Sequence, residues 1–280
     1  MKRIKSYKTK RRLITTLLFC TVIAYALIMS LPYLWLLLTS FKHRVDAFSI
    51  PPKLLFNPTL DNFKVAFLDK NFLLNMKNSL IVTSFTTFFS LVIGLPSAYA
   101  FSRFPFRGDK FFYYYLLGTR FTPIIVLALP LYLIMKSLNL TNSYTGIIIA
   151  HTAFNLAFVV WMMKGFFDTI PLEVDEAARM DGCSWFKVFM KIALPLTKSG
   201  IAATAVFCAI NSWNEFLMAL VLSGMDTQTL PVAIPGLLTP QGTYWGQIAA
   251  VGTVITLPVL IFTIIVQKHM VKGMTMGAIK

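Results

Sequence analysis

Long apolar runs alternate with shorter polar segments along the whole chain. A transmembrane helix needs about 20 mainly apolar residues to cross roughly 30 Å of hydrocarbon. Several runs contain Pro or Gly, which bundled membrane helices tolerate because neighbouring groups satisfy the freed backbone. The pattern therefore predicts an all-α, polytopic membrane protein, with a polar tail at residues 1–12 and one transmembrane domain at residues 13–280. The six predicted transmembrane helices are residues 13–40, 78–101, 111–135, 144–167, 200–222 and 246–267.

The composition supports a membrane protein. Of the 280 residues, 56% are hydrophobic and only 13% are charged, whereas soluble domains carry about 25% charged residues. In a soluble protein, the formal net charge of +15 would suggest nucleic acid as a partner. Here the basic residues lie in the N-terminal tail and between the apolar runs, where cytoplasmic loops carry them. We therefore expect no nucleic-acid partner.

The first apolar run argues against a cleaved signal peptide, and the cysteines argue against a disulfide or zinc framework. A signal peptide has an apolar core of about 7–15 residues, whereas this run continues to about Ser40, so we expect a retained membrane anchor. Cys20, Cys183 and Cys208 are odd in number and far apart. This spacing predicts neither a disulfide framework nor a zinc site.

The basic residues also predict an orientation. With the N-terminus in the cytoplasm, the inner segments hold 17 Lys and Arg residues and the outer segments hold 7. Because cytoplasmic segments carry the excess of basic residues, both termini are predicted to be cytoplasmic. This orientation also puts the polar interruption at residues 168–199 in the cytoplasm.

Residues 168–199 have the pattern of two short helices. Pro171 suits a first helical position, and the acidic residues after it lie where the helix dipole favours negative charge. Gly182 is expected to end the first helix in a left-handed cap. Ser184 can cap a second, amphipathic helix, and Pro195 marks the return to the membrane. A plain polar linker would have no reason to carry this arrangement.

The polar side chains inside the fifth predicted span are candidate pore residues. Asn211, Asn214 and Glu215 share one helical face, with Trp213 close by. A carboxylate in hydrocarbon costs about 2.5–3.5 kcal/mol, so Glu215 should face the bundle interior or water. Amide, carboxylate and indole groups together would suit a sugar. Alternatively, Glu215 lies near the outer interface and bonds to a neighbouring loop.

Arg120 and His151 are the other polar groups with a possible function. Arg120 lies in the third predicted span, where a gate or a helix-packing role competes with substrate contact. His151 is expected to be a hydrogen-bonded interface residue rather than a proton carrier. His43, His151 and His269 are scattered, which argues against a membrane enzyme. Nucleotide-binding and hydrolase motifs are absent from the sequence, so energy for transport must come from another chain or from an ion gradient.

The stretch EAARMDGCSWFKVFMKIALP resembles the loop motif of the membrane subunits of bacterial ABC importers, in which Glu-Ala-Ala, Gly, Ile and Leu-Pro stand at fixed spacings. The stretches NSLIV, AYAFSRFPFRG, TPIIVLALPLYLI and NSWNEFLMAL resemble the carbohydrate-uptake group, specifically the second permease of the maltose/glycerol-phosphate type. The resemblance covers nearly the whole chain, and Ser199 departs from it where Pro is frequent. The residues to which it assigns contact with an ATPase are Glu176, Ala177, Ala178, Asp181, Gly182, Ile192, Leu194 and Pro195.

This resemblance implies the type I ABC importer permease fold, with a coupling helix between the fourth and fifth spans, in a bacterial inner membrane. It implies a half-pore that pairs with a second permease, expected to be a different chain. It also implies a dimer of ATP-binding subunits and an external solute-binding protein. ATP and Mg²⁺ would be bound by the partner ATPase, and neither a cofactor nor a metal is expected on this chain.

Several alternatives stay open at the sequence level. The sugar cannot be named, and an importer permease for another solute, such as glycerol 3-phosphate or a polyol, fits similar positions. An ion-coupled secondary transporter is disfavoured because no inverted repeat is evident. A channel would need a filter-like segment. The outer loop at residues 223–245 is a poor candidate for one, and is expected either to contact the binding protein or to fold back as a plug.

Overall fold

The computed structural model describes residues 2–69, 71–239 and 242–276, and these residues are mostly helical. Within them, the only sheet pairs the two-residue strands β1 (Leu238–Thr239) and β2 (Gly242–Thr243), which run antiparallel. The helices are α1 (Lys2–Ser40), α2 (Arg44–Ala47), α3 (Asp61–Lys64), α4 (Phe72–Arg103), α5 (Asp109–Gly118), α6 (Ile124–Ser137), α7 (Tyr144–Asp168), α8 (Leu172–Met180), α9 (Trp185–Val188), α10 (Leu194–Leu196), α11 (Lys198–Trp213), α12 (Leu217–Leu222), α13 (Leu230–Ala233) and α14 (Trp245–Met276). Two π-helical segments (Val65–Asp69 and Phe189–Ala193) and two 3-10 segments (Thr119–Phe121 and Ile234–Leu237) extend or link them.

Four helices, α1, α4, α7 and α14, are individually long and apolar enough to cross a membrane. The described part of the chain holds up to six such spans if each of two sharply bent helix pairs counts as one. α1, α4 and α14 each contain an internal proline and continue through it, as membrane helices can. The prediction of an all-α, polytopic membrane protein is therefore confirmed.

The third predicted span, residues 111–135, is not one straight helix. α5 with its 3-10 extension and α6 meet at an angle of 101°. The bend lies at Thr122 and Pro123. A proline has no N–H and pushes the preceding residue into an extended conformation, which Thr122 adopts with φ −71° and ψ 123°. The prediction of a continuous helix is corrected here.

The fifth predicted span, residues 200–222, is also interrupted. α11 ends at Trp213 and α12 begins at Leu217. On its other side, α11 bends by 79° from the helical segment Trp185–Leu196. The sequence does not predict the break after Trp213, because no proline or glycine lies there.

Contacts divide the chain into two compact units, Met1–Lys70 with Leu237–Val254 and Asn71–Gly236 with Ile255–Lys280. In the first unit, the apolar window of α1 buries no side chain, so its surface is available to lipid or to another subunit. The end of α1 is fixed by Asn62, whose Nδ2 donates to the carbonyls of Ser40 and Lys42 at 2.9 and 2.8 Å.

In the second unit, α4, α7 and α11 pack together around a core of aromatic and small apolar side chains. Close approach depends on two glycines, as is usual where membrane helices meet. A Cβ at Gly94 of α4 would collide with the side chain of Val159 on α7. A Cβ at Gly200 of α11 would collide with the ring of Phe166 on α7. The core residues include Ala98, Tyr99, Phe158, Val159, Met163, Phe167, Phe189 and Cys208.

Candidate functional site

The helix α8 ends as its sequence predicts. Gly182 has φ +82°, a left-handed conformation that glycine adopts without strain. The Gly182 N–H donates to the carbonyl of Arg179 at 3.0 Å, and the Cys183 N–H donates to that of Ala178 at 3.1 Å. These two bonds form a Schellman cap. Ser184 then caps α9 by accepting from the Lys187 N–H at 3.3 Å, so both predicted caps are confirmed.

The two faces of α8 differ sharply in exposure. Glu176, Ala177 and Met180 are exposed, whereas Asp175 is fully buried and Ala178 is 8% exposed. Of the two alanines that the resemblance assigns to an ATPase contact, only Ala177 lies on the open face, and Ala178 faces inward. Exposed Asp181 and Gly182 extend that face beyond the helix.

Three further residues of the loop motif lie on the return path to the membrane. Ile192 belongs to the π-helical segment Phe189–Ala193, and Leu194 and Pro195 belong to α10. Ile192 and Leu194 are half-buried, and only Pro195 is exposed. Ile192 and Leu194 therefore pack partly within the chain and leave only part of their side chains open to a partner.

The second unit contains a cavity of about 660 Å³ beside the break between α11 and α12. Its lining is mixed, with amide, hydroxyl, charged and apolar side chains. The polar residues that line it are Thr119, Arg120, Thr122, His151, Asn155, Asn211, Asn214 and Glu215. The structure thus brings four of the five predicted pore residues to one cavity.

Glu215 is held firmly at the wall of this cavity. Its Oε1 accepts from the N–H of Met218 at 2.9 Å and its Oε2 from that of Ala219 at 3.0 Å, which caps the start of α12. His151 Nε2 lies 2.9 Å from Oε2, and His151 Nδ1 lies 3.0 Å from the Ser212 hydroxyl. Glu215 thus bonds to the first turn of α12 and to His151 rather than to a neighbouring loop, and it also lines the cavity. His151 is hydrogen-bonded as expected.

The amides of the cavity are less fully used. Asn211 Nδ2 donates to Asn155 Oδ1 at 3.4 Å, and Asn155 Nδ2 donates to the His151 carbonyl at 3.1 Å. Asn214 Nδ2 donates to the Ile210 carbonyl at 3.0 Å. Across the described residues, the side-chain carbonyls of Asn211 and Asn214 accept no hydrogen bond, and both residues are exposed to the cavity. Sequence reasoning missed Asn155, which lies four residues after His151 on α7.

Trp213 does not reach the cavity, which corrects its assignment as a pore residue. It is 1% exposed, and its Nε1 donates to the carbonyl of Ile255 on α14 at 3.0 Å. A helix places successive residues about 100° apart, so Trp213 points away from the face of Asn214. Trp213 is therefore a packing residue.

Arg120 lines the cavity as a cation without a carboxylate partner in the described chain. Its guanidinium carbon lies 4.8 Å from the ring centroid of Phe158, a cation–π contact. Arg120 and Glu215 line the same cavity but form no ion pair. Arg120 thus combines packing on Phe158 with an exposed positive charge.

Part of the outer loop folds back onto α4. Asn78 Nδ2 donates to the carbonyls of Asp226 and Gln228, both at 2.9 Å. The Leu230 N–H donates to the Ser79 hydroxyl at 2.7 Å. Residues 226–230 are therefore fixed to α4 within the second unit. No group of three or more metal-ligating side chains occurs among the residues that the structure describes.

Comparison with known families identifies the chain. Residues 90–276 match the family described as binding-protein-dependent transport system inner membrane component. The chain belongs to this family. As a permease of this family, it is a transport subunit of bacterial ABC importers and an inner membrane component.

Two curated relatives are similar to this permease over nearly their whole length. The probable ABC transporter permease protein y4oR of Sinorhizobium fredii is 37% identical, covering 98% of this chain and 97% of that protein. The diacetylchitobiose uptake system permease protein DasC of Streptomyces coelicolor is 32% identical, covering 89% of this chain and 91% of that protein.

Solved structures agree on the fold. A chain of a bacterial ABC transporter that imports the acidic polysaccharide alginate is similar with a TM-score of 0.76. The match covers 92% of this chain and 96% of that one, at 24% sequence identity. The permease therefore has the fold of an ABC importer membrane subunit.

Proposed function

We propose that this permease forms one half of the membrane pore of an ATP-driven importer for a sugar or an oligosaccharide delivered by an external binding protein. It would pair with a second, different permease and dock onto a dimer of ATPase subunits. ATP and Mg²⁺ would be bound by those subunits, so that this chain itself is not catalytic. Both termini would lie in the cytoplasm, which follows from the excess of basic residues in the inner segments.

The exposed face of α8 is the observation that carries this proposal. A short helix fixed at both ends suits insertion into a groove of a soluble partner. Ala177 permits close approach, Glu176 offers a charge for a basic partner group, and Gly182 turns the chain sharply after the helix. These features fit a contact through which the ATPase dimer moves the membrane helices.

The cavity supports a sugar as the solute. Sugars need hydrogen bonds to their hydroxyls and apolar surface for their ring faces. The unused carbonyls of Asn211 and Asn214 can accept from hydroxyls, and Phe154 and Ile210 supply apolar lining. The relative named for diacetylchitobiose uptake and the structure of the alginate importer point to the same solute class.

The experiment is ATPase activity of the complete complex in nanodiscs. The permease is co-expressed with its neighbouring permease and ATPase genes, then titrated with the binding protein and a panel of sugars. We expect stimulation by the binding protein together with one sugar, and loss of it in Glu176→Lys because the charge at the docking face is reversed.

Glu176→Gln is the matched control, since it keeps the shape and removes only the charge. An intermediate loss is expected for it. The proposal would be contradicted if no ATPase subunit co-purified with the permease, or if Glu176→Lys left assembly and transport unchanged.

A phosphorylated polyol such as glycerol 3-phosphate is the second candidate solute, and Arg120 favours it. The guanidinium borders the cavity without a carboxylate partner in the described residues, and phosphate is a ligand that arginine binds well. With glycerol 3-phosphate in the panel, Arg120→Gln should abolish stimulation by an anionic solute and spare that by a neutral sugar.

A further inference from the structure

A buried ion pair joins α8 to the end of α4, and neither of its residues has been given a role above. Asp175, in the middle of α8, is fully buried, and the Arg103 side chain, at the last residue of α4, is 5% exposed. Arg103 Nε donates to Asp175 Oδ2. Taking two charges out of water is costly, so such a pair is retained only where the geometry is supported by further hydrogen bonds.

Those further bonds connect α8 to the end of α4. Arg103 Nη2 donates to the carbonyl of Ile170 at 2.8 Å, just before α8 begins. The hydroxyl of Tyr99, one turn earlier on α4, donates to the same Asp175 oxygen at 3.3 Å. Tyr99 is itself fixed in the core, with its ring centroid 5.4 Å from that of Phe167.

The network also includes the end of α7. Arg103 Nη1 donates to the Ser102 hydroxyl at 3.1 Å, and that hydroxyl donates to Asp168 Oδ1 at 2.6 Å. Asp168 Oδ2 in turn lies 2.7 Å from Lys164 Nζ. Two membrane helices and α8 are therefore joined through polar side chains in a continuous series.

The connectivity of the chain gives this network its importance. α8 follows α7 directly in sequence and leads through α9 and α10 to α11, so those helices move with it through the backbone. α4 has no such link. Its polar connection to α8 runs through Arg103 and Tyr99, and both bind one carboxylate, that of Asp175.

We propose that the Arg103–Asp175 pair is a positioning element that passes displacement of α8 to α4, so that ATPase movement reaches a helix to which α8 has no covalent connection. This inference rests on the proposed docking of α8 to an ATPase. The buried Asp175 Oδ1 has no partner among the described residues, so both bonds from α4 to this carboxylate are made to its Oδ2 atom.

The test is a double-mutant cycle in the assembled importer, with Arg103→Gln, Asp175→Asn and the double variant. Thermal stability and transport per ATP hydrolysed are measured for each. Each single variant leaves one partner without its counter-charge and should lose stability. The double variant removes both charges and should recover part of that stability.

Transport per ATP should behave differently. We expect a loss of about tenfold in all three variants, within the roughly 5- to 150-fold range of typical coupling between sites. A merely structural pair would instead let transport per ATP recover together with stability in the double variant, and that result would overturn the proposal. Asp61→Asn, at an exposed acid at the start of α3 and outside the docking face, is the control and should behave like the unmodified protein.

Tyr99→Phe keeps the test decisive if the single charge variants do not fold. It removes only the hydroxyl donated to Asp175 and keeps the ring in the core. A partial loss of transport per ATP at unchanged stability supports the proposal, and unchanged transport per ATP counts against it. Failure of the unmodified permease to bind an ATPase would instead contradict the proposed function itself.

Discussion

Near its start, α7 borders an open cavity, whereas at its end it belongs to a closed network of charged side chains. His151 and Asn155 line the cavity, where amide carbonyls keep unused hydrogen-bonding capacity. Lys164 and Asp168 lie in the network around Arg103, where nearly every polar group has a partner. One helix thus joins a region with free binding capacity to a region with fixed geometry, which suits a solute site at one end and a mechanical contact at the other.

The largest effect is expected where α4 and α7 touch between these two regions. In Gly94→Leu, even the Cβ would overlap the side chain of Val159, so α4 and α7 must separate. The cost should reach or exceed the about 1–3 kcal/mol typical of overpacked cores. We expect a large drop in the Tm of the purified permease and loss of both ATPase binding and transport.

Gly118→Leu is the control, because a Cβ there meets no atom within 4 Å. Equal loss of stability in the two variants would show that the α4–α7 contact is not the cause.

The next largest effect is expected at Gly182, where the chain turns sharply after α8. Gly182→Val should cost about 1–3 kcal/mol, because a β-branched residue is strained at φ +82°. The cost is purely a backbone effect, since a Cβ at Gly182 meets nothing within 4 Å. Stimulated ATPase activity should fall. Gly182→Asn tolerates the left-handed conformation and should retain most activity, so similar activity in the two variants would contradict this explanation.

A smaller effect separates packing from binding beside the cavity. Trp213→Phe removes the hydrogen bond to Ile255 and some buried volume, which should cost about 1–2 kcal/mol of stability. The KM for the solute should not change, because Trp213 does not line the cavity. Exposed Trp161 provides the control Trp161→Phe. A raised KM at unchanged Tm would return Trp213 to the pore.

The smallest effect is expected at the cavity itself. Asn211→Ala removes one potential hydrogen bond to a solute hydroxyl, worth about 0.5–1.5 kcal/mol, or roughly 2- to 12-fold in KM. Solute transport at varied concentration measures it, with the Tm expected to stay within experimental error. Ser97→Ala on α4, outside the cavity, is the comparison, and an equal change in both would argue against solute contact.

Local signals in the sequence predicted local structure well. The caps at Gly182 and Ser184 depend on one or two residues and their neighbours, and both are present. The apolar runs likewise predicted helices. The break between α11 and α12 was not predictable, because it depends on Glu215 binding the N–H groups of Met218 and Ala219 rather than on a helix-breaking residue.

The direction of each side chain was the harder problem. Trp213 and Asn214 are adjacent, yet one is buried against α14 and the other faces the cavity. Likewise, Asp175 is buried while Glu176 is exposed. Which face of a helix turns inward depends on its neighbours in space, so neither the burial of Asp175 nor its pairing with Arg103 follows from spacing along the chain.

That adjacency in α8 has a mechanical consequence. Asp175 holds the inner connection and Glu176 offers the outer contact, and a single peptide bond separates the two residues. A peptide unit is planar and stiff, so no loop lies between the two backbone positions to absorb a displacement. Under the proposed docking, a displacement of α8 at Glu176 would move Asp175 with it, and compliance would reside in the side-chain contacts on either side.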